Sequence, residues 1–218
     1  MNFEFSEEHK LFKESVAKFV NKEVVPVAEE IDRKAEFPSE LFKKCAELGY
    51  LGLRYPEEVG GSGGDMTSYC ILCEELARGS MGLALTVSMQ CMMATDFIFR
   101  YGTAEHKKRL LEPALRGEKI GAFALTEPNA GSDLGGIQTT AVHDGDYWVI
   151  NGSKMWITNA FHADFFTVLA TTDKSQGIKA GDFFLVEKGT PGLTVGKKIE
   201  KLGTRASDTG ELSFDNCR

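Results

Sequence analysis

An all-α helical bundle followed by an antiparallel β-barrel or sandwich is the architecture this sequence predicts. Three observations carry that expectation. As far as Leu115, apolar residues recur at three- and four-residue spacing, the period of one helix face. After about Gly117 they fall instead into short β-branched and aromatic runs. Turn residues, not helix-length segments, separate those runs, which argues against βαβ crossovers. The expected domains are residues 1–117, helical, and 118–218, β, with the change of character at Leu115–Lys119.

The first helix is expected from Glu7 to Arg33, with Ser6 as N-cap and Leu11, Phe12, Val16, Phe19, Val20, Val24, Val27 and Ile31 on its apolar face. Pro26 should kink or divide it, because proline lacks the N–H of the helical ladder. A second helix spans about Pro38–Leu48, burying Leu41, Phe42, Cys45 and Leu48, with Gly49 as its stop. Gly60-Gly-Ser-Gly-Gly64 breaks all periodicity and reads as a loop. Helices over Thr67–Ala77 and Gly82–Tyr101 follow, and Thr103 caps a short one running into Pro113. Strands are expected at Ile120–Thr126, Gln138–Val142, Tyr147–Ile150, Phe165–Thr171, Asp182–Val186, Gly192–Val195 and Glu211–Phe214. Asp144-Gly145 is a favoured hairpin dipeptide, and Trp148 is expected in the hairpin core.

Composition narrows the function classes. Charged residues make up 26% and apolar residues 42%, ordinary for a globular chain. A net charge of −7 with interleaved Lys and Arg argues against a nucleic-acid partner, which needs a clustered basic face. The N-terminal residues lack the basic and apolar regions of a secretory signal, and no apolar run is read as approaching the roughly 20 residues of a membrane span. The expectation is a bacterial cytoplasmic or mitochondrial matrix protein without a transmembrane segment. Cys45, Cys70, Cys73, Cys91 and Cys217 are read as core cysteines, the Cys70-x-x-Cys73 pair included, since no second Cys or His pair follows at zinc spacing. His9, His106, His143 and His162 are too scattered for a metal site, so no metal is expected. No Gly-x-Ser-x-Gly elbow marks a hydrolase.

Two segments carry the chemistry. Phe123-Ala-Leu-Thr-Glu-Pro-Asn-Ala-Gly-Ser-Asp133 is a small-residue turn whose backbone N–H groups and Ser132 hydroxyl suit a pyrophosphate. Lys154-Met-Trp-Ile-Thr-Asn159 offers the flat face of Trp156 and the hydroxyl of Thr158. No Gly-x-Gly-x-x-Gly joins a strand to a helix, so a nicotinamide fingerprint is absent. An anionic aromatic cofactor such as a flavin is what the residues alone reach. Each has a plainer alternative: Thr126 as a turn cap, Gly131 as a turn glycine, Trp156 as a core indole. Asp133 is read as a local backbone acceptor. Glu127, before a proline and without an acidic partner, is not taken as a catalytic base.

Both segments resemble the flavin-binding signatures of the acyl-CoA dehydrogenase family. The resemblance extends in order through Asn2-Phe-Glu-Phe-Ser-Glu-Glu-His9, Tyr55-Pro-Glu-Glu-Val-Gly-Gly-Ser-Gly-Gly64, Arg100-Tyr-Gly-Thr-Ala-Glu-His106 and Lys201-Leu-Gly-Thr-Arg-Ala-Ser-Asp-Thr209, and so covers essentially the whole chain. It implies FAD as cofactor, bound by Phe123, Leu125, Thr126, Gly131, Ser132, Trp156, Ile157 and Thr158, with Ser132 also meeting the acyl-CoA substrate. Trp156 would pack beside the flavin and the Thr158 hydroxyl would approach N5. Asn129 stands where the family often has Gly. Arg205, Ser207 and Thr209 are read as stabilising the β-domain edge.

The implied activity is α,β-dehydrogenation of a saturated acyl-CoA to the trans-2-enoyl thioester, as in fatty acid β-oxidation. Electron-transferring flavoprotein would be the electron acceptor and a homotetramer the assembly. The family's third, helical domain, which carries the base in most members, has no counterpart among these residues. The chain is therefore expected to be a fragment or a truncated form, inactive alone and weak in FAD retention, with an unassigned catalytic base. Two alternatives stand beside this: an oxidase- or monooxygenase-like relative that uses oxygen, and a non-catalytic binding or assembly module on the same scaffold.

Overall fold

The structure, a computed structural model, describes residues 4–218; Asn2 and Phe3 of the opening motif lie outside them. It divides into two compact units. One holds the residues up to Lys119 together with Lys201–Ser207, the other Ile120–Glu200 with Asp208–Arg218.

The first unit is helical. α1 (Glu7–Phe19) starts at Ser6, whose hydroxyl accepts the His9 N–H at 3.2 Å, and Glu7 and Glu8 complement the positive end of the helix dipole. A π-helical turn at Val20–Val24 joins it to α2 (Val25–Lys34), which carries Pro26 in its first turn. The widened turn absorbs the missing proline N–H, so the helix is divided without being broken. Val16, Val20 and Val24 form the fully buried stripe.

α3 (Ser39–Glu47) buries Leu41, Phe42 and Cys45, but Leu48 falls beyond its end and is exposed, contrary to the expected face. Gly49 follows at φ +75°, the left-handed stop that glycine adopts without a Cβ clash. α4 (Met66–Gly79) is capped by Asp65.

α5 (Met81–Ser88), a π turn at Met89–Ala94 and α6 (Asp96–Tyr101) form one helical run of 21 residues. This corrects the sequence reading, since the run is long and apolar enough by length and composition to cross a membrane. Interruption by Ser, Thr and Gln hid it. Here Leu83, Val87, Cys91, Ala94 and Ile98 are buried as core of the helical unit. Gln90, also fully buried, donates to the carbonyls of Ala114 (2.9 Å) and Lys119 (2.8 Å). Ala114 lies in the last turn of the final helical run, where its carbonyl also accepts the Gly117 N–H at 3.1 Å, and Lys119 lies four residues past the end of that run. That run comprises α7 (Ala104–His106, capped by Thr103), a π turn at Lys107–Leu111 and α8 (Glu112–Leu115).

The second unit is a seven-stranded sheet: β1 (Gly121–Ala124), β2 (Thr140–Asp144), β3 (Tyr147–Thr158), β4 (Phe165–Thr171), β5 (Gly181–Glu187), β6 (Leu193–Lys198) and β7 (Thr209–Cys217). The strand order is β1-β4-β2-β3-β7-β6, with β5 pairing β4. The β2–β3, β3–β7, β6–β7 and β4–β5 pairs are antiparallel, whereas β1 and β2 meet β4 in parallel. The sheet is thus mixed, a curled sheet rather than a purely antiparallel one. All seven residues of β4 are buried, consistent with its unbroken apolar run. The core is built from Ala122, Ala124, Ile150, Ile157, Phe166, Val168, Leu212 and Phe214 among others.

Three local expectations are corrected. The hairpin loop is Gly145-Asp146, with Asp144 paired to Tyr147; Gly145, at φ +63°, takes the first loop position. Trp148 is half-exposed, edge-on between His143 and Phe184, not a core residue. Among the cysteines Cys45, Cys91 and Cys217 are buried, but Cys70 is exposed and Cys73 only half-buried.

Candidate functional site

β1 delivers the first signature segment and the end of β3 the second. Phe123 is the third residue of β1, its ring stacked on Phe183 with centroids 5.5 Å apart. Leu125 and Thr126 follow as half-buried residues outside the strand. Glu127 and Ala130 exchange two backbone hydrogen bonds (2.8 and 3.2 Å), closing a turn over Pro128-Asn129. Asn129 is not in the left-handed region, so this position does not require glycine. Gly131, Ser132 and Asp133 are exposed, and Asp133 accepts the Gly135 N–H at 2.8 Å, the local backbone role expected of it.

Gly131 is informative by what surrounds it. Its φ is not positive, and a Cβ placed on it would meet nothing within 4 Å. Neither backbone strain nor internal packing calls for glycine there. What its missing side chain leaves is room on the outer side of the turn. The N–H groups of Gly131 and Ser132 donate to nothing among the described residues, which leaves two amides and a hydroxyl ready for an external acceptor.

The second segment is held in an unusual shape. Between Lys154 and Ile157, β3 takes three steps where β7 takes two, from Leu212 to Gly210, so a β-bulge lies at Met155-Trp156. Trp156 itself has φ +61°, a conformation that disfavours residues with a Cβ. The bulge turns its ring outward: Trp156 is 54% exposed while Ile157 is 2% exposed. Thr158 closes the strand opposite Thr209, half-buried. Asn159 is again left-handed, and its side-chain amide donates to the Gly121 carbonyl at 3.4 Å. The chain then turns on Asp208, whose carboxylate accepts the Phe161 N–H at 2.8 Å.

The two segments are bonded to each other. The Met155 N–H donates to the Thr126 carbonyl at 2.9 Å. Lys154 Nζ donates to the Leu125 carbonyl at 3.0 Å and pairs with Glu127 Oε1 at 2.7 Å. Both side chains of the pair are buried, at 0% and 3% exposure. Glu127 also accepts the backbone N–H groups of Gln138 (2.7 Å) and Thr139 (3.1 Å).

Burial alone would push the Glu127 carboxyl up, but the bonds from Lys154, Thr139 and Gln138 outweigh it and hold the group below the ordinary carboxylate range. Burial also draws the Lys154 ammonium below the ordinary lysine range, against the opposing pull of Glu127. Bonded to each other and to the Leu125 carbonyl and the Gln138 and Thr139 amides, Glu127 is not free to act as a base nor Lys154 to meet a phosphate. Sequence reasoning missed this pair. The signal lay in the strand, where a lysine occupies a core-facing position of β3, and in looking for an acidic partner of Glu127 rather than a basic one.

Among the described residues, no group of three His, Cys, Asp or Glu side chains is arranged to hold a metal ion. Residues 6–118 match the acyl-CoA dehydrogenase N-terminal domain family and residues 122–217 the acyl-CoA dehydrogenase middle domain family. The chain belongs to the acyl-CoA dehydrogenase family. It is 48% identical over 218 residues to benzylmalonyl-CoA dehydrogenase of Aromatoleum aromaticum, covering all of this chain and 57% of that protein. The butyryl-CoA dehydrogenase structure from Megasphaera elsdenii aligns with a TM-score of 0.94 at 40% identity, covering all of this chain and 58% of that one. A glutaryl-CoA dehydrogenase from Mycobacterium smegmatis, solved in complex with FADH2, aligns at 0.92 and 39%, over 98% of this chain and 54% of that one. This chain thus spans little more than half the length of these relatives.

Proposed function

We propose that this chain carries the FAD platform of an acyl-CoA dehydrogenase that converts a saturated acyl-CoA to its trans-2-enoyl thioester. The observation that carries the reading is the direct bonding of the two signature segments, Met155 N–H to the Thr126 carbonyl and Lys154 to the Leu125 carbonyl and Glu127. One segment presents an exposed indole at Trp156, and the other a turn whose Gly131 and Ser132 amides donate to nothing among the described residues, with open space beside Gly131. These residues fit a flavin dinucleotide. Trp156 offers an apolar face for a ring system, while Phe123, Leu125 and Ile157 form its backing. Thr126 and Thr158 supply hydroxyl groups at the ring edge. The amides of Gly131 and Ser132, with the Ser132 hydroxyl, meet the pyrophosphate, and Ser132 also serves the acyl-CoA.

FAD, when bound, supplies the acceptor for the β hydride of the substrate. The chain's part is to hold a donor where negative charge develops on reduction and to exclude water behind it. Acyl-CoA as substrate, electron-transferring flavoprotein as acceptor and a homotetrameric assembly complete the proposal, on family membership. The M. smegmatis complex with FADH2 supports the cofactor.

The test is a titration of the purified chain with FAD, followed by flavin fluorescence and by tryptophan emission. Wild-type protein should quench both in a saturable way, and Thr158→Ala should weaken the FAD binding read by flavin fluorescence. Absence of saturable FAD binding by the wild-type chain would defeat the reading.

A further inference from the structure

We propose that Lys154 and Glu127 are positioning residues of the flavin site, a buried ion pair that sets the spacing between the Thr126 turn and the Trp156 bulge. The inference rests on the flavin reading above, but its geometric core does not need a ligand. Lys154 stands two residues before Trp156, and Glu127 directly follows Thr126. The ammonium spans the two segments by bonding the Leu125 carbonyl and Glu127 Oε1 at once, at 3.0 and 2.7 Å. Glu127 is in turn fixed by the Gln138 and Thr139 amides, so it cannot follow the lysine if the lysine moves. The Met155–Thr126 backbone bond lies beside the pair.

A left-handed tryptophan needs such a frame. An L residue at φ +61° persists only where its neighbours over-determine it. On one side of Trp156 stands the fully buried, doubly bonded Lys154, and on the other the buried Ile157. The bulge cannot relax toward regular pairing without pulling the ammonium from its two acceptors, which would leave a buried charge unpaired. The pair is thereby linked to the direction in which the indole points. A neutral residue of similar size at position 154 would keep the core filled yet lose that link.

The test uses the 218-residue chain with Trp148→Phe, so that Trp156 is the single indole. In this background Lys154→Met and Glu127→Gln are compared with Val186→Ala, a core substitution in β5 away from the pair, with thermal stability measured for all three. Two readouts are taken: acrylamide quenching of Trp156 in the ligand-free protein, and FAD affinity. The expected result is altered quenching and about tenfold or greater loss of FAD affinity in both pair variants, with neither in Val186→Ala. The double variant should lose no more affinity than Lys154→Met alone, because the two act as one unit.

Pair variants that match Val186→Ala in quenching and affinity would overturn the proposal, as would failure of both to fold where Val186→Ala folds. If the parent chain binds no FAD, the flavin reading fails. The quenching comparison then decides the positioning role by itself, with an unchanged Trp156 as the refuting result.

Discussion

Trp156 is the residue at which local preference and structure disagree most openly. Its left-handed backbone suits glycine or asparagine, and a β-branched residue fits worst. Trp156→Gly should therefore leave thermal stability within about 1 kcal/mol of wild type, while Trp156→Val should fall about 1–2 kcal/mol below Trp156→Gly. Calorimetric unfolding of the two variants checks the order. If valine equals glycine, the left-handed conformation carries no strain.

Glu127 makes a prediction of acid behaviour. Its folded-state carboxyl lies below the ordinary range, so its contribution is fully present above an unfolded value near about 4.3. It is lost as pH falls through the folded value. Glu127→Gln should lower stability at neutral pH and flatten the fall below about pH 5, as read by urea unfolding across that range. The downward shift at Lys154 acts on the alkaline side, where its cost is relieved as pH rises, and leaves the acid limb alone.

At this scale the sequence revealed the chemistry-bearing side chains but not their geometry. Trp156 and Thr158 stood out as an indole and a hydroxyl. No pattern in the letters shows a bulge, because a bulge depends on how Lys154 and Ile157 register against Leu212 and Gly210 on a strand more than fifty residues away.

Among elements, helices were legible because their period is local. Ser6, Thr103 and the stop at Gly49 all act where they were expected. The three π-helical turns, at Val20–Val24, Met89–Ala94 and Lys107–Leu111, were not legible. An extra residue in a helical turn alters the apolar period too little to detect by spacing. β3 runs to Thr158, well past the expected Ile150, because pairing with β7 holds a stretch containing Gly152, Ser153 and Lys154 that lacks strand-like residues.

Caps give the prediction that belongs here. Asp65 accepts the Ser68 N–H (2.8 Å) and hydroxyl (2.9 Å) and meets His9 Nε2 (3.2 Å). Asp65→Ala should cost about 0.5–2 kcal/mol, and Asp65→Asn clearly less. Equal losses in urea denaturation would indicate that the charge, not the cap, matters.

For the whole molecule, the order of a helical region before a β region was readable from the switch in apolar period near Gly117. The return of Lys201–Ser207 to the helical unit was not, since nothing local distinguishes that segment from a β-region loop. Its packing is specific. A Cβ on Gly82 would lie 2.9 Å from Ala206 Cβ, and the Ala206 N–H donates to Asp32 Oδ1 at 3.1 Å. Gly82→Val should destabilise by about 1–3 kcal/mol through overpacking. Adding Ala206→Gly should recover part of that loss in thermal unfolding; no recovery would place the clash elsewhere.

The same segment has a consequence for how the protein is made. A chain emerging from the ribosome tends to fold domain by domain, the N-terminal one first. Here the helical unit cannot finish in that order, because the residues that cover Gly82 and bond Asp32 are translated only after Ile120–Glu200. Until Ser207 has left the exit tunnel, the nascent helices hold an open seam at the start of their longest apolar run.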